Sequence, residues 1–188
     1  SLHDALPISS QVMLWLQNAG NAENEIRNAT FESYNDKGMW DGTTVRGVLW
    51  FDQRCTMTFG EGTQVIAHGA TNAVHLSGAG GMNITFNGGS YISDTGAAYQ
   101  DSGATEMGLN ATGIVINGGY FKSGRLSDNG VMQMHSPMNY VINGGTFEHT
   151  TPGKGANVLF NIYGAAAVVI KKGTFIGGNF IRIGGHNG

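Results

Sequence analysis

A six-residue phrase returns along the whole chain: an apolar residue, a short Gly/Asn turn, a small residue, then an aromatic. It reads FNGGSY at 86–91, INGGYF at 116–121, INGGTF at 142–147 and IKKGTF at 170–175, with weaker copies IRNATF at 26–31 and FGEGTQ at 59–64. Counted from the residue after the apolar one (Arg27, Gly60, Asn87, Asn117, Asn143, Lys171), the steps are 33, 27, 30, 26 and 28 residues. Self-similarity at such a period means stacked units, each burying its apolar side against the next.

Each unit carries period-two apolar stretches. One precedes the turn, as in Met57/Phe59, Ile84/Phe86, Ile114/Ile116, Tyr140/Ile142 and Val168/Ile170. Another lies earlier: Leu49/Phe51, Val74/Leu76, Met107/Leu109, Met132/Met134, Phe160/Ile162 and Ile181/Ile183. A third carries the residue after the turn, Phe31, Tyr91, Phe121, Phe147 or Phe175. Short alternations rich in β-formers are strands. The expectation is therefore an all-β chain folded as a right-handed parallel β-helix. It has about six coils of 26–33 residues, three short strands to a coil. The uneven step argues against a left-handed hexapeptide solenoid, and coils spaced by about 4.8 Å make a short rod. In the turns, Gly tolerates positive φ and stacked Asn side chains can bond in a ladder.

Composition narrows the function. Gly supplies 31 of 188 residues and charged residues only 12%, which excludes a helical bundle. Ten Lys plus Arg against thirteen Asp plus Glu form no basic stripe, so a nucleic-acid partner is not expected. The apolar runs are too short for a membrane-spanning helix, and no membrane partner is expected. One cysteine can form neither an internal disulfide nor a thiolate metal site.

Residues 1–9 (SLHDALPIS) resemble a translated sequencing-library adapter and are set apart from the fold. The expectation is a fragment of metagenomic type: an adapter-derived segment at 1–9, then a β-helix domain at 10–188, truncated at one or both ends.

The coil pattern and the recurring GG-[ST]-F phrase resemble the pectate-lyase-like β-helix superfamily over nearly the full length. The resemblance implies one scaffold shared by polysaccharide lyases, polygalacturonase-type hydrolases, phage tailspikes and non-catalytic surface proteins, so it speaks to fold more than to activity. The hydrolase signatures (Asn-Thr-Asp, Asp-Asp, Gly-His-Gly, Arg-Ile-Lys) are absent; Arg182-Ile-Gly and Gly185-His-Asn are partial echoes. No cofactor is expected. Asp94 and Asp101 make only a weak calcium case, because that cation wants six to eight oxygens.

Stacking turns each repeat position into a column. Outward residues of the earlier strand read Trp50, His75, Gly108, Gln133, Asn161 and Arg182, with Trp15 one rung before. The next outward column reads Asp52, Ser77, Asn110, His135, Tyr163 and Gly184. Aromatic rings stack on pyranoses while amides and imidazoles bridge their hydroxyls, so Trp15, Trp50, His75, Gln133, Asn161, Tyr163 and Arg182 are the candidate polysaccharide contacts. Ordinary polar solvation of an outer face explains the same residues equally well. Were the protein an enzyme, a lyase or glycoside hydrolase, Glu106 paired with Asp52, Asp94, Asp101 or Asp128, and His135 as acid or base, are the candidate catalysts. A third column, Val48, Ala73, Glu106, Val131, Leu159 and Phe180, is mostly apolar. It is either covered by a loop or buried in a homotrimer through Val48, Val131, Leu159 and Phe180. The loops after the aromatic, among them Glu32–Thr44, His68–Asn72 and Ser93–Thr105, stack on one flank and carry most of the charge. Three functions remain open. One is an extracellular or virion-associated domain that binds polysaccharide. The others are a glycan-degrading enzyme of lyase or tailspike type, and a structural rod or adhesin stalk.

Overall fold

The structure is a computed structural model that describes residues 14–17, 22–34, 47–52, 54–69, 71–77, 82–101, 113–124, 130–136, 138–150, 158–163, 166–177 and 179–184, without the side chains of Trp15, Gln17, Asp52 and Tyr163. Residues 1–9, Glu106, Gly108 and Asn110 lie outside the described residues.

Among the described residues every regular element is a strand, and the strands stack in parallel into three sheets. The first sheet runs β1 (Leu14–Gln17), β4 (Gly47–Asp52), β7 (Asn72–Ser77), β10 (Tyr99–Asp101), β13 (Met132–Met134), β16 (Val158–Tyr163), β19 (Asn179–Gly184). The second runs β2 (Glu23–Ile26), β5 (Cys55–Phe59), β8 (Met82–Phe86), β11 (Gly113–Ile116), β14 (Asn139–Ile142), β17 (Ala167–Ile170). The third runs β3 (Thr30–Ser33), β6 (Gln64–Ala67), β9 (Ser90–Ser93), β12 (Tyr120–Ser123), β15 (Thr146–His149), β18 (Thr174–Ile176). Every third strand in sequence is thus a neighbour in space, which defines a parallel β-solenoid with three strands per coil.

The repeated phrase is the corner between the second and third sheets. Gly89, Gly119 and Gly145, each the second glycine of its pair, have φ of 91°, 110° and 104°, a region that disfavours any residue with a Cβ. The first glycine is held by close approach: a Cβ on Gly144 would sit 2.5 Å from the Asn117 carbonyl oxygen of the preceding coil. The asparagines form the expected ladder, with Asn143 Nδ2 donating to Asn117 Oδ1 and Asn117 Nδ2 to Asn87 Oδ1, both at 2.8 Å.

Behind the corner, Tyr91, Phe121, Phe147 and Phe175 pair in register and stack with ring centroids 4.9, 5.1 and 5.6 Å apart. Tyr91, Phe121 and Phe147 are fully buried, and Phe175 is half-buried in the last coil. Each such ring removes 150–250 Å² from water, so this column and the stacked pair Phe59 and Phe86 supply much of the core.

One coil departs from the expectation. Met107 and Leu109, where a strand is anticipated, lie outside the described residues, and the strand between β7 and β13 is β10, where Tyr99, Gln100 and Asp101 pair with Val74, His75 and Leu76. An alternation search passes over it because its second inward residue is an aspartate. Asp101 is only 1% exposed, in the place Leu76 takes one coil before. Four donors make this tolerable. The backbone N–H groups of His135 and Ser136 donate to Oδ1 at 2.8 and 2.6 Å, and the hydroxyls of Tyr99 (3.2 Å) and Tyr140 donate to Oδ2. Burial, and then the neighbouring Asp101 charge, raises the Tyr99 hydroxyl well above its ordinary pKa; burial, then Tyr99 and Asp101, does the same for Tyr140. Both hydroxyls therefore stay protonated and able to donate.

Candidate functional site

The first-sheet column exists in register: Trp50 pairs with His75, His75 with Gln100, Gln100 with Gln133, Gln133 with Asn161, and Asn161 with Arg182. Gln100 takes the slot expected for Gly108. The column is not the open face anticipated. His75, Gln100, Gln133 and Asn161 are buried, and among the described side chains of the column only Trp50 and Arg182 are half-exposed. Asn72, also buried, ties the column to its neighbours: its Nδ2 donates to Gln100 Oε1 at 2.8 Å and lies 3.3 Å from His75 Nδ1, while its Oδ1 accepts from Ala97 N at 2.9 Å. Trp50 donates from Nε1 to Ser77 Oγ at 2.5 Å and meets the His75 ring edge-on.

The apolar column beside it is likewise covered within one chain. Val48, Ala73, Val131 and Leu159 are buried, while Phe180 is 45% exposed. The burial of the polar column has a plain cause: strand alternation reports which residues face the axis, but not whether the other face is covered.

Of the candidate catalysts, Glu106 and the Asp52 side chain lie outside the described residues, and His135 is half-buried with its backbone N–H committed to Asp101. Trp15 and Tyr163 are placed by backbone alone, in β1 and β16. Cys55 faces the core, where burial pushes its thiol up to about 11 and removes it as a nucleophile.

A second cluster lies on the charged flank, just past the third sheet. Ser33, Ala67 and Ser93 share a column, and the residues that follow them are Tyr34, His68 and Asp94. His68 sits between two carboxylates, with Nε2 2.6 Å from Glu32 Oε1 and Nδ1 3.2 Å from Asp94 Oδ2. The Tyr34 hydroxyl donates to the same Glu32 oxygen at 2.9 Å, and its ring stacks on the imidazole with centroids 4.4 Å apart and planes 17° from parallel. The hydrogen bond to Glu32 leads in raising the His68 pKa above its ordinary value, and Asp94 adds to it. Reciprocally, His68 first and Tyr34 second hold the Glu32 carboxyl below the usual carboxylate range. An imidazolium donating from both nitrogens satisfies this geometry. Tyr34 remains 53% exposed.

The flank was legible as a charged loop side, but not as this constellation. The available signal was a common offset: Tyr34, His68 and Asp94 each stand three residues after an inward residue of one column, Phe31, Val65 or Tyr91, while Glu32 follows Phe31 directly. With both imidazole nitrogens facing carboxylates, His68 presents no lone pair to a cation. Among the described residues no group of three or more His, Cys, Asp or Glu side chains is arranged to hold a metal ion.

Comparison with protein-family models, with curated proteins and with solved structures returned no match. The fold itself defines the class: a three-sheeted parallel β-solenoid with a buried polar column on one sheet and an exposed aromatic and carboxylate cluster beside another.

Proposed function

We propose that this chain is a pectate-lyase-like, right-handed β-helix domain, extracellular or virion-associated, that binds polysaccharide without cleaving it. The observation that carries the reading is the Tyr34 cluster. An exposed ring held parallel to an imidazole offers a flat apolar surface to the C–H face of a pyranose, and Glu32 and Asp94 beside it accept from sugar hydroxyls. The ring is fixed by both a stack and a hydrogen bond, so little side-chain entropy is lost on binding. Successive coils place Tyr34, His68 and Asp94 in a row along the rod, which suits an extended chain better than a small molecule. Trp50, half-exposed in the first-sheet column next to Trp15, is a second stacking ring.

The test is a polysaccharide array probed with the 188-residue protein, scored both for retention and for released reducing ends or unsaturated products. Tyr34→Ala is expected to weaken retention on the best ligand by about tenfold or more, the effect of losing one well-packed stacking ring. Trp50→Ala is expected to weaken it less. Retention unchanged by Tyr34→Ala would remove the reading, and released product would replace it with a lyase or glycosidase.

A further inference from the structure

The outer face of the third sheet differs from that of the first in being open. Among the described residues, no outward side chain on its six strands is buried. One outward column reads Glu32, Ile66, Ile92, Lys122 and Glu148 in successive strands, and Tyr120 stands in the column beside it, two residues before Lys122. The arrangement around Glu32 returns around Glu148. Each glutamate accepts from a tyrosine hydroxyl, that of Tyr34 at 2.9 Å and that of Tyr120 at 2.5 Å. Each also faces a basic group: His68 Nε2 lies 2.6 Å from Glu32 Oε1, and Lys122 Nζ lies 3.9 Å from Glu148 Oε1. Burial, then the bond to Glu148, pushes the Tyr120 hydroxyl up to about 12, so it stays protonated and able to donate. β12 is three strands on from β3, which sets the two clusters on the order of 14 Å apart along the rod. Between them Ile66 and Ile92, both half-buried, form an apolar strip. Gln64 and Ser90 precede this strip in their strands and His68 and Asp94 follow it, so polar groups edge it on both sides.

We infer that the polysaccharide lies lengthwise on this face, across the strands of the third sheet, and that Tyr120, Lys122 and Glu148 form a second sugar station for the same chain. The inference rests on the reading of the Tyr34 cluster as a sugar site and extends it. A linear glycan offers C–H faces and hydroxyl edges in turn along its length. The face meets them in order, with a ring and carboxylate, an apolar strip, then a ring and carboxylate again. A chain held at one station reaches the other as an intramolecular event, so affinity rises with ligand length. Charge narrows the ligand class. Among the described residues of the track, Glu32, Asp94 and Glu148 stand against His68 and Lys122, and both basic groups already lie beside a carboxylate. A uronate would add negative charge where carboxylates are in excess, so the ligand is a neutral glycan.

The test titrates the 188-residue protein with oligosaccharides size-fractionated from xylan, mannan and β-glucan, and from polygalacturonate. A disaccharide covers one station, while an octasaccharide is long enough for both. In at least one neutral series the octasaccharide should bind about tenfold or more tighter than the disaccharide. Tyr120→Ala should remove that gain and leave the disaccharide affinity as it was, whereas Tyr34→Ala should weaken both lengths. No gain in the wild type, a gain that survives Tyr120→Ala, or an equal loss at both lengths in that variant would overturn the inference. In each of these cases an effect of Tyr34→Ala would still leave the polysaccharide reading standing. No binding by any series, or no effect of Tyr34→Ala, would remove that reading and the inference with it. Oligogalacturonate bound more tightly than every neutral series would contradict the neutral class. Because Tyr120 is half-buried, Ile92→Glu supplies a second variant. Its side chain points outward and faces Lys122 in the next strand, so the thermal midpoint should hold while the length gain is lost. A gain that persists in Ile92→Glu would count against the track.

Discussion

Asp94 and Asp101 stand seven residues apart on the same coil and meet opposite fates. Asp94, its side chain 53% exposed, shares His68 with Glu32 on the flank of the third sheet. Asp101, 1% exposed, lies among core residues of the first sheet and is held by two backbone amides and two tyrosine hydroxyls, with no cation on either oxygen among the described residues. The same carboxylate is a structural knot in one place and part of a candidate ligand surface in the other. The difference lies in what surrounds each one. A buried acceptor must be satisfied by fixed neighbours, while an exposed one keeps lone pairs for a ligand.

The largest expected effect lies at the buried member. Asp101→Ala strips the acceptor from four donors at once and should cost about 5 kcal/mol in urea unfolding, the scale seen when one side of a buried charged network is removed. A loss below about 1 kcal/mol would mean that β10 is not where the register puts it. Next in size is Phe147→Ala, which opens a gap between Phe121 and Phe175 and should cost about 4 kcal/mol, within the usual range for a buried phenylalanine.

The exposed member should respond weakly in stability and clearly in pH. His68→Ala should cost less than about 1 kcal/mol, as exposed ion pairs do. Because folding raises the His68 pKa, its contribution is complete below the unfolded value of 6.5 and is lost as pH rises through the folded one. Folding lowers the Glu32 pKa, so that contribution is complete above 4.5 and is lost as pH falls through the folded value. The pair should therefore stabilise most between 4.5 and 6.5. Imidazole NMR signals followed against pH should show His68 titrating above 6.5 in the wild type. They should show it moving down in Glu32→Gln; no movement would separate His68 from Glu32 in solution.

The comparison also marks where residue patterns stop being readable. The turns, the asparagine ladder and the aromatic stack follow from a phrase that repeats with the same chemistry in each coil, so the period alone places Gly145, Asn117 and Phe147. β10 escapes because Asp101 breaks the apolar alternation while filling an inward place, a choice that makes sense only once Tyr140 and the His135 and Ser136 amides arrive from the next coil. His75, Gln133 and Asn161 alternate correctly and point away from the axis, yet lie buried, because alternation tells which face of a sheet a residue takes and not whether that face is covered. The His68 cluster is intermediate. Tyr34, His68 and Asp94 share an offset, but they are different residue types, and a search for recurring letters passes over a recurring position.

Carbodiimide-mediated amidation of the native protein, mapped by peptide mass spectrometry, places the two aspartates under one reagent. The account predicts that Asp94 is labelled in the folded chain while Asp101 is protected until denaturant unfolds it, with Asp101 then labelling at the rate of an ordinary aspartate. Labelling of Asp101 at the same rate as Asp94 in the native protein would contradict the placement of β10, the buried column built around it, and the division between core and flank on which the functional reading stands.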